Sequence, residues 1–199
     1  MITSSHQVSW PTVTLRGVGL HVITEAQCVL EITTALSSGH GGWVVTPNLD
    51  HLRRLVHDHS FAQLCDGATL MVADGMPLIW ASRLQGTPLP QRVAGSNLIS
   101  TLSAAAAKEG RSVYLLGGDP GTAAQAANVL RERYPHLRIA GTHCPAMKFD
   151  HDEKAMRRIV DLVTQAQPDI VFVALGSPKQ EQFIDQMRDC LPGTWWLGV

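Results

Sequence analysis

The sequence predicts an α/β fold, a Rossmann-like and mostly parallel sheet flanked by helices. Short β-rich runs alternate with helical patterns almost from end to end, the order that crossover helices on a parallel sheet produce. With 199 residues, 45% of them hydrophobic and 17% charged, the chain buries roughly 70% of its extended-chain surface, so a core carries the fold without disulfides or metals. Two of the strand-like runs end in glycine-bearing turns that open helices, as nucleotide-binding sheets do.

In chain order the strand-like runs are Val13–Gly17, Trp43–Thr46, Thr69–Ala73, Ser112–Leu116, Leu137–Gly141, Ile170–Ala174 and Thr194–Val199. Between them Glu25–Leu36, Leu49–Val56, Met76–Leu84, Asn97–Lys108, Thr122–Tyr134, Glu153–Gln165 and Lys179–Cys190 read as helices. In the last of these, Phe183, Ile184, Met187, Cys190 and Leu191 recur at helical spacing and mark a buried face. Ala155, Met156, Ile159, Leu162 and Val163 make a similar stripe opposite Arg157, Arg158 and Asp161. Two prolines and a glycine at Gly86–Pro90 interrupt the pattern and predict a surface loop. Nothing repeats with a solenoid period, and one domain is expected over residues 1–199.

Composition excludes several function classes. A formal net charge of −1 gives no clustered cations for a polyphosphate chain, so nucleic acid is not an expected partner. Cys28, Cys65, Cys144 and Cys190 are widely spaced without a C-x-x-C pair and fit buried thiols in a reducing compartment. Met1–Trp10 is polar and lacks the pattern of a secretory signal. The longest apolar run, Ile170–Leu175, is far below the roughly 20 residues of a spanning helix. His51, His57 and His59, or His143 with Cys144 and His151, do not have a recognised metal spacing. Ser96 and Ser177 lack a nucleophile elbow.

In open α/β sheets ligands bind beyond the carboxyl ends of strands, which singles out four turns. Thr46-Pro47-Asn48 offers a hydroxyl and an amide, with Asn48 also placed to cap the next helix. Asp74-Gly75 puts a carboxylate at a strand end, where it reads either as a helix cap or as a general base beside a glycine that admits a substrate. Gly117-Gly118-Asp119-Pro120-Gly121-Thr122 allows close backbone approach to an anion at a helix start, or is a plain turn. Gly176-Ser177-Pro178-Lys179 adds a lysine as a point charge for phosphate.

Taken in order, Thr46-Pro47-Asn48, Ala73-Asp74-Gly75-Met76-Pro77, Gln91 to Leu98, Leu115-Leu116-Gly117-Gly118 and Leu175 to Glu181 resemble the bacterial glycosyltransferase family TagA/WecG/CpsF. The resemblance implies an inverting transferase that moves a sugar, often N-acetylmannosamine, from a UDP-sugar to a saccharide on a polyprenyl diphosphate in cell-surface polysaccharide synthesis. By that likeness Asp74 is the base, Thr46 and Asn48 line the sugar pocket, Arg92 and Gln180 are further pocket residues, and Gly117 and Gly118 approach the nucleotide. The resemblance also implies an enzyme that works without a bound metal, so no metal and no cofactor are expected. Arg92 and Lys179 are then the cations for the departing UDP.

Family members typically continue past the Gly198-Val199 position with a segment rich in arginine and aromatic residues that touches the membrane. The expectation is that this chain lacks it, that peripheral membrane contact comes only through that segment, and that the enzyme works in the cytoplasm at the inner face of the membrane. Oligomeric state is left open. Thr142 to Ala146 departs from the family's glycine-aromatic pattern. The alternatives are a non-catalytic UDP-sugar-binding module and a dinucleotide-dependent oxidoreductase. The second lacks G-x-G-x-x-G at Gly117–Gly121 and an acidic residue after Leu137–Gly141.

Overall fold

The computed structural model describes residues 10–146 and 149–199, which leaves nearly all of the polar Met1–Trp10 segment outside the described residues. The chain opens with a hairpin, β1 (Thr12–Leu15) and β2 (Val18–His21), paired antiparallel. The sequence predicts a single strand at Val13–Gly17, and the structure has this hairpin in its place. Arg16 and Gly17 both take left-handed backbone (φ 53° and 88°), which reverses the chain at that point.

After α1 (Glu25–Ser37), β3 (Gly42–Val45) enters the main sheet and leads to α2 (Leu49–His57). A further helix, α3 (His59–Cys65), is capped by Asp58, which accepts the Phe61 N–H at 3.1 Å. The helix predicted over Leu49–Val56 ends one residue later, at His57, and α3 follows it where the sequence pattern marks no element before Thr69. Then follow β4 (Leu70–Met71), α4 (Met76–Leu84), α5 (Gly95–Glu109), β5 (Ser112–Gly117) and α6 (Thr122–Arg133). The chain continues through β6 (Arg138–His143), a 3-10 turn at Phe149–His151, α7 (Glu153–Ala166), β7 (Ile170–Ala174), α8 (Lys179–Arg188) and β8 (Trp195–Gly198).

The six main strands are all parallel in the order β4-β3-β8-β7-β5-β6. Strand alternation splits the core into two layers. Val113, Leu115, Ile170, Phe172, Trp195 and Leu197 face α1, α5 and α6, whereas Tyr114, Leu116, Val171, Val173 and Trp196 face α2, α3, α7 and α8. The α8 stripe is buried as expected except for Cys190, which lies beyond the helix end and is exposed; Cys144 is half-buried, and only Cys28 and Cys65 are buried thiols. The Gly86–Pro90 stretch is a loop anchored to the fold: Leu89 is buried, and its N–H donates to Ser82 Oγ at 3.0 Å.

Topology fixes where a ligand can sit. From β5 the chain passes through α6 to β6 on one side, and from β7 through α8 to β8 on the other. The crevice at the carboxyl ends of β5 and β7 is therefore the switch point of the sheet.

At the opposite edge, Asp169 clamps β5 to the start of β7. It accepts from the Ser112 N–H (2.7 Å), the Ser112 hydroxyl (2.8 Å) and Arg111 Nη1 (3.1 Å). Burial alone raises its pKa, but these three donors outweigh that and hold the carboxyl below the ordinary aspartate value. Its contribution to stability is thus present above the unfolded-state pKa and lost as pH falls through the lower folded value. Asp169→Ala strands the Ser112 N–H and should cost about 1–3 kcal/mol, read as a lower urea midpoint. Nucleotide affinity should not change, because the clamp lies away from the carboxyl edge.

Candidate active site

The carboxyl edge of the sheet carries two groups of side chains. The first gathers over β3, β4 and β8. Asp74 follows β4, held by its N–H to the Pro47 carbonyl (2.8 Å), and Gly75 after it takes φ 136°, a backbone only glycine adopts readily. That glycine turns the chain into α4 so that Gly75 lies against Asn48. The Asp74 carboxylate lies near the Gly95 N–H at the start of α5, which favours its charged form, and 3.9 Å from Arg92 Nε. Burial pushes its pKa up, against the pull of Arg92, the Gly95 N–H and His51. A carboxylate raised in this way is better matched to accept a proton near neutral pH than one free in water.

Asn48 is the cap of α2. Its Oδ1 accepts the His51 N–H at 3.0 Å and faces His51 Nδ1 at 2.9 Å. Both readings of this residue are compatible, because the cap uses only its oxygen. Thr46 follows β3; a Cβ on Gly95 would meet its hydroxyl and the Gly198 carbonyl at 3.2 Å, so the ends of β3 and β8 and the start of α5 converge. Gln180, nearly buried at the start of α8, packs on Gly198 and donates to Glu181 Oε1 at 3.2 Å.

Two members of this group escaped the sequence reading. His51 stands between Asn48 and the buried Glu181, with Nε2 3.8 Å from Glu181 Oε1. Glu181 is 3% exposed, and its Oε2 has no hydrogen-bond partner among the described residues. Thr46, His51, Gln180, Glu181 and Gly198 line one small cavity of about 20 Å³ beneath the edge. The signal for His51 was its place three residues after a cap, in the turn of α2 that faces the same edge.

The second group lines the switch-point crevice, a cleft of about 490 Å³ bounded by Gly118, Asp119, Phe149, Ala174, Gly176 and Lys179. Gly117 and Gly118 take φ 113° and 76°. The Gly118 N–H is already spent on the Ala174 carbonyl (2.9 Å), so an anion here would meet the first turn of α6 instead. Lys179 does reach the cleft, but its Nζ pairs with Asp150 Oδ1 at 2.9 Å. A phosphate would have to share or displace that partner.

The structure thus brings Asp74, Arg92, Thr46, Asn48 and Gln180 together and places Gly118 and Lys179 in the switch-point cleft, whereas Gly117, buried at the end of β5, is not among the residues that line it. β4, which Asp74 follows, and β5 are four strand spacings apart, about 19 Å. Lys179 and Gln180 are adjacent in α8 and join the two groups. Among the described residues no three His, Cys, Asp or Glu side chains are grouped to hold a metal ion.

Residues 13–199 match the Glycosyl transferase WecG/TagA/CpsF family. A curated relative from Bacillus spizizenii is 29% identical over 167 residues, which cover 84% of this chain and 63% of the relative. That relative is named N-acetylglucosaminyldiphosphoundecaprenol N-acetyl-beta-D-mannosaminyltransferase. The chain therefore spans less than two thirds of its length.

Proposed function

The chain belongs to the WecG/TagA/CpsF family of glycosyl transferases, and we propose that it moves N-acetylmannosamine or a related hexose from a UDP-sugar to a saccharide on a polyprenyl diphosphate. The observation that carries this reading is Asp74: a carboxylate whose pKa burial raises, held beside Gly95 and Arg92 on the same carboxyl edge of the sheet as the switch-point cleft. The relative's name specifies an undecaprenol-linked acceptor and mannosaminyl transfer, which agrees with that reading.

In the proposed reaction the nucleotide lies in the β5–β7 cleft and the sugar reaches over the start of α8 towards Asp74. Asp74 takes the proton of the acceptor hydroxyl as its oxygen bonds to the anomeric carbon. The bond from that carbon to the diphosphate breaks on the opposite face, so the configuration inverts and UDP leaves with the bonding pair. The first turn of α6 and Lys179 receive the charge on the diphosphate. Thr46, Asn48 and Gln180 hold the sugar.

Calorimetric titration should show UDP binding and no comparable NAD binding, and mass spectrometry should detect a disaccharide from a UDP-hexose and a short-chain prenyl diphosphate acceptor. EDTA should leave the rate unchanged, because the proposed charge stabilisation uses side chains and helix ends. Tight NAD binding without UDP binding would overturn the reading in favour of an oxidoreductase. UDP-sugar binding without turnover would leave a binding module.

A further inference from the structure

We propose that Glu181 and His51 are positioning residues for the transferred sugar. The buried carboxylate anchors Gln180 directly and Asn48 through the His51 ring, so that Asn48 presents its amide N–H groups, and not its oxygen, to the sugar. The proposal rests on the glycosyl-transfer reading above and concerns what holds its sugar pocket in shape.

α8 turns Phe183, Ile184 and Met187 into the core, and Glu181 lies buried with them. A carboxylate in such a place costs free energy that leucine or methionine would not, so a residue serving packing alone would be apolar. This carboxylate holds its neighbours instead. Its Oε1 accepts from Gln180 Nε2 at 3.2 Å and lies 3.8 Å from His51 Nε2, the one ion-pair contact that Glu181 makes among the described residues. The cavity that Glu181 lines with Thr46, His51, Gln180 and Gly198 is about 20 Å³, room for about one water and none for a sugar ring. Glu181 therefore acts through the side chains beside it and not on the substrate.

Hydrogen-bond chemistry fixes which way the Asn48 amide faces. The His51 backbone N–H can only donate, so the Asn48 atom 3.0 Å from it is the oxygen. His51 Nδ1 faces the same oxygen at 2.9 Å, a distance that two acceptors do not keep, so the ring carries a hydrogen on Nδ1. Asn48 Oδ1 then holds two donors, which fill its two lone pairs, and only the NH2 group of this exposed residue is left for a ligand. A sugar atom bound there has to accept a hydrogen bond, as a hydroxyl oxygen or an N-acetyl carbonyl does. On the far side of the ring a hydrogen also has to lie between Nε2 and Glu181 Oε1, since two bare acceptors repel. Carried by the ring or by the carboxyl, it ties His51 to Glu181. Phe61 packs beside the ring, with centroids 6.2 Å apart. One buried carboxylate oxygen thus sets the places of two side chains that the proposed reaction uses to hold the sugar.

Kinetics of the full chain with UDP-N-acetylmannosamine and a short-chain prenyl diphosphate acceptor, beside inhibition by UDP, test the arrangement. His51→Ala should raise KM for the UDP-sugar about tenfold, the loss of one hydrogen bond's hold, with kcat little changed and UDP inhibition at the wild-type value. His51→Asn, whose amide nitrogen stands where Nδ1 stood, should recover part of that loss, and His51→Gln, whose nitrogen takes the place of Nε2, should not. Glu181→Gln should raise KM too. The double variant His51→Ala/Glu181→Gln, which leaves no buried charge unpaired, should raise it by less than the product of the single effects. A part in folding alone would weaken UDP and UDP-sugar together; that result, or multiplying effects in the double variant, overturns the proposal. So does a fall in kcat at unchanged KM, which would put His51 behind Asp74 rather than Asn48. Nitrogen-15 NMR of the histidine rings, with His51 assigned from its loss in His51→Asn, should show a hydrogen on Nδ1 in the wild type, and a bare Nδ1 overturns the proposal whatever the enzyme does. Transfer with wild-type KM in His51→Ala would sink this inference alone. If the wild type binds UDP-sugar without transferring it, calorimetry reads the same comparison: a loss of UDP-sugar affinity in His51→Ala with UDP affinity kept leaves the arrangement standing and sinks the transfer assignment.

Discussion

Asp74→Asn should lower kcat by about a hundred- to ten-thousandfold, the usual contribution of a positioned base, while UDP-sugar affinity stays at the wild-type value. Asparagine keeps the shape and still presents an oxygen towards Gly95, but it cannot take the proton from the acceptor hydroxyl. The same substitution gives a second, independent readout. Because burial raises the folded-state pKa of Asp74, its stabilising contribution is fully present below the unfolded-state value and is lost as pH rises through the folded one. At neutral pH the ionised carboxylate therefore weakens the fold, and the variant should melt above the wild type. That gap should close as pH falls below the ordinary aspartate range. The long contact with half-exposed Arg92 offsets little of this. In the wild type, the acid limb of the rate profile should lie above the ordinary aspartate value, since only the deprotonated form accepts. Wild-type turnover in Asp74→Asn would remove the residue from the base role. Lost turnover together with a lowered melting temperature at neutral pH would point instead to a structural part for the carboxylate.

The turns that hold the site were readable because each follows a strand, and local chemistry marks a strand end: Asn48 as a cap, Gly75 as a turn, Gly117 and Gly118 as a reversal. What was not readable depends on pairings between distant parts of the chain. β8 lies between β3 and β7 rather than at an edge, and only that insertion brings Gly198 against Gln180 and Gly95. His51 and Glu181 meet across 130 residues, and neither carries a local signal that it faces the other. Lys179 had the right charge in the right turn, but its partner Asp150 comes from the turn after β6, so the sequence overstated the positive charge available to phosphate. The hairpin turn gives no such signal, because Arg16 stands where Asn or Asp usually announces it.

Gly117→Val should cost about 3–5 kcal/mol in stability and abolish UDP binding by the chain that remains folded. Two effects combine at this position. The backbone is at φ 113°, where a branched side chain is strained, and a Cβ would overlap the Ala174 carbonyl. Both sides of that overlap are backbone, so no side-chain rotation relieves it; β5 and β7 must part where the cleft opens. Gly121→Ala separates the two causes. It also has a left-handed φ, 88°, but a Cβ there meets nothing within 4 Å, so only the conformational cost of about 1–2 kcal/mol should remain. Urea midpoints measure the difference, and titration with UDP in the cold, where the weaker variant is still folded, measures the consequence for the cleft. If Gly117→Val binds UDP as the wild type does, the nucleotide lies elsewhere on the carboxyl edge. If it binds no UDP while Asp169→Ala, weakened at the opposite edge, binds normally, the loss belongs to the switch-point cleft and not to lowered stability.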